Sequence, residues 1–337
     1  MKEALWWKSL GHGKVKCELC PNACVILPGK QGVCQVRENR EGRLYSVNYG
    51  QVASIGLDPI EKKPLFHFHP GALVLSLGTY GCNLMCTFCQ NWQISQMRPS
   101  CTVLTPRQAV DMCLSQKRRH PGIIGMAYTY NEPTVWYEFV KECAKEAGTE
   151  GFANVLVTNG YIAEEALGEL LPLIDAMNID VKAWDEGFYR RIARGKLDPV
   201  LKTVKQAFDS GTWIEITYLV VPGENDKDED IEGLAKWLSN IDPGIPLHLS
   251  RYFPAYKHDK PPTPLASLER LRAVAGEKLE YVYVGNAWKK GYADTLCPQC
   301  REPLLERGAL ELERVNLCQG ACPRCSRKSD IVGTVWM

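Results

Sequence analysis

The stretch that decides the fold is GTYGCNLMCTFCQNWQISQ, residues 78–96, which directly follows the apolar run Ala72–Leu77. The run predicts a buried strand, and Gly78 and Gly81 allow the chain to turn sharply as it leaves that strand. Three cysteines follow at spacing C-x3-C-x2-C, namely Cys82, Cys86 and Cys89. A 4Fe–4S cluster is ordinarily held by four cysteines. Three thiolates on one loop therefore indicate a cluster with one iron left open, as in a reactive site, and a structural zinc loop is the alternative.

Length, charge and cysteine content limit the classes of protein that this chain can represent. Its 337 residues suffice for one large domain with small appendages, and its 40 basic and 39 acidic residues indicate neither a nucleic-acid nor a membrane surface. Its start lacks the apolar core of a signal peptide, and no apolar run is long enough to span a membrane. The 15 cysteines lie mostly in tight groups, which favours metal binding over disulfides. We therefore expect a cytoplasmic iron–sulfur protein.

The string GCNLMCTFCQNWQIS, residues 81–95, resembles the radical S-adenosylmethionine (SAM) enzymes, with the aromatic Phe88 just before the last cysteine. Within that superfamily it is similar to the AmmeMemoRadiSam system radical SAM enzymes, near the glycyl-radical-enzyme activases. The segment DPIEKKPL, residues 58–65, and the tail at 333–336 carry the same resemblance. The resemblance implies that SAM fills the open iron position and that one electron cleaves it to methionine and a 5′-deoxyadenosyl radical. It also implies an external electron donor such as flavodoxin or ferredoxin, and partnership with Amme and Memo proteins.

Apolar runs rich in β-branched residues alternate with helix-like segments between about residues 71 and 290. The runs are 72–77, 122–128, 153–158, 175–181, 212–220, 246–250 and 280–284, and the helix-like segments are 105–118, 133–147, 163–173, 198–209, 228–239 and 264–275. This order predicts six βα units and a closing strand, with parallel strands and right-handed crossovers. An eight-fold barrel needs more units than these. The sequence therefore predicts an α/β fold, an open partial (βα)6 barrel, which the radical SAM resemblance also implies.

Polar residues follow the predicted strands, where the carboxyl ends of parallel strands ordinarily bind ligands. Residues 130–133, YNEP, stand where the superfamily has the Gly-Gly-Glu-Pro stretch that holds the SAM amine, and both glycines are replaced here. Thr-Asn-Gly at 158–160 and Asp-Val-Lys at 180–182 match motifs of the activases. The SAM contacts that the resemblance implies are Asn131, Glu132, Asn159, Asp180 and Lys182. A salt bridge of Lys182 with Asp180 or Glu215 is the alternative role for this lysine.

Residues 1–70 are predicted to form an N-terminal cysteine-rich metal-binding unit followed by an extended segment. Four cysteines fall within 18 residues, namely Cys17, Cys20, Cys24 and Cys34. Such a unit is too small to have a core of its own, so a metal must hold it together. The four thiolates can close either a zinc tetrahedron, which makes the site structural, or a second, auxiliary 4Fe–4S cluster.

Residues 291–337 are predicted to form a C-terminal zinc-ribbon-like unit behind the barrel at 71–290. Two C-x2-C pairs separated by 21 residues supply four ligands, namely Cys297, Cys300, Cys322 and Cys325. This pattern predicts one closed tetrahedral site for zinc, although a rubredoxin-like single iron would use the same ligands. Cys318 is left outside the set.

Three functions remain open from the sequence. The first is a radical SAM enzyme that abstracts hydrogen from a small molecule or a protein. The second is a glycyl-radical-enzyme activase, which the short connection between Cys89 and the helix start at Thr105 disfavours, because activases often carry a ferredoxin-like insertion there. The third is a non-catalytic zinc-ribbon protein that binds a macromolecule, although the balanced charge argues against nucleic acid.

Overall fold

The computed structural model describes residues 1–308 and 310–337, and an eight-stranded sheet forms its centre. The strands are β1 (Ser54–Pro59), β2 (Leu73–Gly78), β3 (Ile123–Tyr128), β4 (Ala153–Thr158), β5 (Ala176–Asp180), β6 (Trp213–Val220), β7 (Leu247–Arg251) and β8 (Val282–Gly285). Their order in the sheet follows the chain, β2 to β8 run parallel, and β1 pairs antiparallel with β2. The prediction of an α/β fold with a mostly parallel sheet is confirmed.

One helix connects each pair of successive parallel strands. The helices are α1 (Pro106–Lys117), α2 (Tyr137–Thr149), α3 (Glu164–Leu170), α4 (Leu197–Asp209), α5 (Asp228–Ser239) and α6 (Leu265–Gly276). Helix α1 begins close to the residue that the sequence predicts. Thr105 and Gln108 form a reciprocal capping box there, and Pro106 occupies the first position of the helix. Within the described residues, no helix has both the length and the apolar character needed to cross a membrane.

Shorter elements complete the architecture. The further helical turns are Ile60–Lys62, Trp92–Ser95, Pro133–Trp136, Leu171–Leu173, Glu186–Phe188 and Tyr189–Ala193, and the last of these is a π-helix. The further strands are Lys2–Glu3, Trp7–Gly11, Lys14–Cys17, Val25–Ile26, Arg37–Arg40, Arg43–Ser46, Gln51–Val52, Thr102–Val103, Thr295–Leu296, Pro303–Arg307 and Leu312–Val315. The last three pair antiparallel as a small sheet in the C-terminal unit.

The segment before the barrel is more ordered than the sequence indicates. An extended loop was expected from Asp58 to Pro70, but Asp58 and Pro59 end strand β1, and a helical turn follows at Ile60–Lys62. The turn ends at Lys63, a buried lysine whose ammonium contacts the Asp58 carboxylate at 2.7 Å. This ion pair explains why a charged sequence folds into the sheet, since a buried charge needs a partner.

The C-terminal unit is anchored to the barrel by a buried arginine and by the chain terminus. Arg307 donates to the Phe66 carbonyl at 2.6 Å, and its guanidinium lies 4.6 Å from the centre of the Phe66 ring. At the terminus, Val332 N donates to the His67 carbonyl and Trp336 N donates to the Pro70 carbonyl, both at 2.8 Å. The C-terminal unit therefore packs on residues 66–70.

His67 predicts a loss of stability in acid. The ring is fully buried and bonds the Tyr283 hydroxyl at 2.6 Å and the Asp330 carbonyl at 3.2 Å, and burial lowers the pKa of His67 to about 4. Because this pKa lies below the unfolded value near 6.5, its stabilising contribution is present above that pH and is lost as the pH falls towards 4. We expect the free energy of unfolding to fall by about 1–3 kcal/mol over this range. Anaerobic denaturant titrations at each pH measure it, and in His67→Gln, which cannot titrate, a slope that remained unchanged would contradict this assignment.

Candidate active site

The cysteine loop, residues 79–91, leaves the end of β2 and is held by backbone hydrogen bonds to a distant segment. Met85 N donates to the Ala193 carbonyl at 2.9 Å, and Thr87 N donates to the Ile192 carbonyl at 3.2 Å. Both acceptors belong to the π-helix, an element type that is often found at functional sites. The π-helix follows β5, so a segment far from the cysteine loop in sequence holds this loop in place.

Two N–H groups donate to one thiol of the cysteine loop. The Cys82 sulfur accepts from Leu84 N at 3.5 Å and from Asn159 Nδ2 at 3.6 Å, and the Cys89 sulfur lies 3.4 Å from the Ser95 hydroxyl. Donors of this kind stabilise sulfur that carries negative charge, and they tune the potential of iron–sulfur clusters. The donor set therefore fits the 4Fe–4S cluster that the three thiols predict.

Glu132 lies at the junction of β3 and β4 and is completely buried. One carboxylate oxygen accepts from Thr134 N and the Thr158 hydroxyl, each at 2.8 Å, and the other accepts from Asn159 N at 2.8 Å. Burial raises the pKa of Glu132, and these hydrogen bonds oppose the rise. Groups of the chain thus occupy both oxygens, and Glu132 positions Asn159 beside the cysteine loop.

Asn131 contacts the same loop from the other side. Its Nδ2 donates to the Gly81 carbonyl at 2.7 Å, and its Oδ1 accepts from Thr79 N at 3.2 Å. Asn131 therefore holds the cysteine loop in place, and its contact with SAM stays a prediction.

Asp180 and Lys182 form an ion pair at the end of β5, with 2.6 Å between the ammonium and the carboxylate. Their side chains are 27% and 15% exposed, so both can reach a ligand at this edge. Burial alone would lower the pKa of Lys182, but the Asp180 carboxylate and the Cys86 thiol raise it. The alternative salt bridge with Asp180 is thus present, and it lies beside Cys86, a predicted cluster ligand.

Lys62, Lys63 and Tyr130 all donate to the Asp58 carboxylate, and the sequence did not predict this cluster. The Asp58 carboxylate accepts from the buried Lys63 and, at 2.6 Å, from the Tyr130 hydroxyl. Tyr130 has a positive φ of 73°, which is unusual for a bulky residue and is typical of a functional site. Burial lowers the pKa of Lys63 to about 8. The only signal in the sequence was the DPIEKKPL string itself.

The eight remaining predicted ligands form two groups. The C-terminal four lie together, because the sulfurs of Cys297, Cys300, Cys322 and Cys325 are all within 4.8 Å of one another, and Cys318 is exposed and outside the set. The N-terminal four all line one small enclosed cavity; they are Cys17, Cys20, Cys24 and Cys34. Both groups are therefore brought together by the fold.

A cavity of about 590 Å³ is lined by residues of β6, β7 and β8 and by the segment that follows β8. Thr217, His248 and Ser250 line it from the sheet, and Trp288 and Arg307 line it from the C-terminal side. Thr217 is paired in register with Asp180. The cavity therefore borders the strand that pairs with the end of β5, and its size suits a small molecule.

Comparison with known proteins identifies the family of the region that contains the site. A model described as the radical SAM superfamily matches residues 76–238. An uncharacterized protein of Methanocaldococcus jannaschii is 43% identical over 340 residues, which cover 98% of this chain and 100% of that protein. A putative glycyl-radical enzyme activating enzyme of the same organism is 30% identical over 53% of this chain and 67% of its own length.

A solved structure shows the same fold. The crystal structure of SuiB of Streptococcus suis bound to S-adenosylmethionine has a TM-score of 0.51 and 16% sequence identity. The similarity covers 64% of this chain and 52% of that chain. At this identity the likeness concerns the fold alone.

Proposed function

Because the chain belongs to the radical SAM superfamily and is an enzyme, we propose that it cleaves S-adenosylmethionine reductively and abstracts hydrogen from a substrate. The observation that carries this proposal is the loop with three thiols, Cys82, Cys86 and Cys89, in which the Cys82 sulfur accepts two N–H hydrogen bonds. A bound and reduced 4Fe–4S cluster supplies the electron that converts SAM to methionine and a 5′-deoxyadenosyl radical.

The residues of the chain have separate tasks in this proposal. The three cysteines hold the cluster, and Asn131 and the π-helix keep their loop in place. Asp180 and Lys182 contact SAM, because their partly exposed side chains lie at the carboxyl end of β5 beside Cys86. The Asn159 amide, which donates to the Cys82 sulfur and to Asn83, holds the loop that SAM approaches. Glu132 acts through Asn159, whose backbone it binds.

The proposed substrate site is the cavity at β6, β7 and β8. Thr217, which lines it, pairs in register with Asp180, and Ser250, His248 and Trp288 also line it. Its volume lies in the usual range of a small-molecule site. We therefore propose a small molecule as the substrate, with an electron donor of the flavodoxin or ferredoxin class in the cytoplasm.

An activase is the second candidate function, and the putative glycyl-radical enzyme activating enzyme at 30% identity supports it. The connection after Cys89 disfavours it, because this stretch holds only the short helix Trp92–Ser95 and the two-residue strand Thr102–Val103 before α1. A role beside Amme and Memo proteins rests on the sequence resemblance, and co-purification from cells that contain all three proteins tests it.

The test uses the anaerobic protein with SAM and dithionite, and liquid chromatography measures 5′-deoxyadenosine. Extract from cells grown in deuterated medium is then added as a low-mass fraction or as a protein fraction. We expect deuterium in 5′-deoxyadenosine with the low-mass fraction. Deuterium only with the protein fraction would favour the activase, and an intact cluster that yields no 5′-deoxyadenosine would refute SAM cleavage.

Asn159→Ala tests the SAM site. It removes the amide that donates to the Cys82 sulfur and to Asn83, and we expect SAM binding to weaken by about 1–3 kcal/mol, the range for losing one hydrogen bond with a charged partner. Asn154→Ala is the matched control, because Asn154 is also a buried asparagine of this chain region but lies at the amino end of β4, where it bonds Tyr128 and Ala144. The control should lower stability and leave the SAM affinity unchanged in calorimetry. Equal SAM affinities in the wild type and in Asn159→Ala would contradict this role of Asn159.

A further inference from the structure

The four N-terminal cysteines enclose a cavity whose shape depends on the local strands. Cys17 ends the strand Lys14–Cys17, and its backbone N–H donates to the Cys24 carbonyl at 2.9 Å, which closes the turn between them. Cys17 and Cys34 are buried, and the two other thiols are partly exposed. The walls are completed by apolar groups that include Ile26 and Val135. The thiols thus converge on one enclosed space.

The spacing of the thiols distinguishes a single ion from a cluster. Four sulfurs at 2.3 Å from one zinc ion stand roughly 3.8 Å apart, whereas the thiolates of a four-iron cluster stand about 6 Å apart because the irons intervene. The C-terminal thiols satisfy the first condition, with Cys297 and Cys325 separated by 3.5 Å. Among the described residues, no three of the N-terminal thiols lie within 4.8 Å of one another, and the same holds for the cysteine loop. The N-terminal set thus resembles the cluster loop of this chain and differs from its zinc-like site.

A buried arginine that lines the cavity leaves one hydrogen-bond donor for the occupant of the cavity. Arg37 lines the cavity and is only 2% exposed. Its Nη1 pairs with the Glu138 carboxylate at 2.7 Å and its Nη2 approaches the Val135 carbonyl at 3.4 Å, but its buried Nε–H has no hydrogen-bond partner in the described part of the chain. A buried donor without a partner is costly. Cluster sulfur with net negative charge would accept this hydrogen bond.

The cavity lies directly against the cysteine loop. Asn22, which lines the cavity, donates to the Asn83 carbonyl at 2.7 Å. The carbonyl oxygen of Cys34 packs on Gly81 so closely that a side chain there would begin 2.6 Å from it. We propose that Cys17, Cys20, Cys24 and Cys34 bind a second 4Fe–4S cluster with all four irons held by the protein. This site goes beyond the proposed SAM cleavage and does not depend on it.

The decisive variant carries Cys82→Ala, Cys86→Ala and Cys89→Ala together, which leaves the N-terminal cysteines as the remaining site for a cluster. After anaerobic reconstitution we expect about four irons and four acid-labile sulfides per chain, against about eight of each in the wild type. The reduced variant should give an EPR signal that does not change with SAM, because no iron is open to it. A variant without acid-labile sulfide would overturn the proposal, whether it holds zinc, a single iron or no metal at the N-terminal site.

A second variant tests the proposal even if the first variant fails to fold. Replacing the four N-terminal cysteines with serine should halve the iron and sulfide of the wild type and leave a signal that still responds to SAM. Cys318→Ser is the matched control, because this exposed cysteine belongs to none of the three sets. Unchanged iron and sulfide in the fourfold variant would refute the second cluster.

Discussion

Replacing Cys86 with alanine is expected to abolish SAM cleavage while leaving the barrel folded. Cys86 is one of the three thiols that the proposal assigns to the cluster, and it lies beside Lys182, whose pKa it raises. With two thiolates the loop cannot hold a four-iron cluster in a site with one open iron, so no electron reaches SAM. We expect 5′-deoxyadenosine to fall below detection in the anaerobic assay with dithionite.

The control for this variant is Cys113→Ala, since Cys113 is also a buried cysteine but packs in α1, where its thiol bonds the Gly125 carbonyl. This change removes the same sulfur volume from the core and should cost stability alone. Circular dichroism reports the fold of both variants, and EPR reports the cluster. A normal, SAM-responsive signal in Cys86→Ala would contradict the assignment of the cysteine loop.

The parallel strands were predictable because each one is a short, continuously buried apolar run. All six residues of β3, IIGMAY, are buried, and the run Ala153–Thr158 was predicted with the bounds that the structure shows. A strand buried on both faces needs apolar residues throughout, so the signal is local. The same reasoning located the polar residues at the carboxyl edge.

Contacts between distant segments were not predictable from local patterns. Strand β1 contains Asp58 and Pro59, which disfavour a strand, and it forms because the buried Lys63 neutralises the aspartate. The π-helix Tyr189–Ala193 has no periodic signal of its own, and its last two carbonyls accept hydrogen bonds from the cysteine loop, which is distant in sequence. Residue type alone likewise left the role of Asn131 open, since the same amide can hold a ligand or a loop.

The second large effect is expected at the C-terminal site. Its local structure should be lost when its four cysteines can no longer hold a metal. The unit has a very small core of its own, formed by Cys297, Leu304 and Cys322 with a few neighbours, so a metal must supply much of its stability. Each knuckle turns through a residue with positive φ directly after its second cysteine, Arg301 at 62° and Ser326 at 61°. These strained turns persist only if the ligands are held together.

Cys322→Ser should therefore lose the metal and unfold the unit, while the barrel remains intact. Because Arg307 and Trp288 line the proposed substrate cavity, we expect substrate turnover to fall strongly and 5′-deoxyadenosine to form without substrate. Plasma emission counts zinc per chain, and limited proteolysis with mass spectrometry should map new cleavage to residues 295–330. Cys318→Ser is the control, and it should keep both the bound metal and the resistance to protease. A Cys322→Ser protein that is free of zinc and yet resists protease in this region would show that the ribbon is held by its contacts with residues 66–70 instead of by a metal.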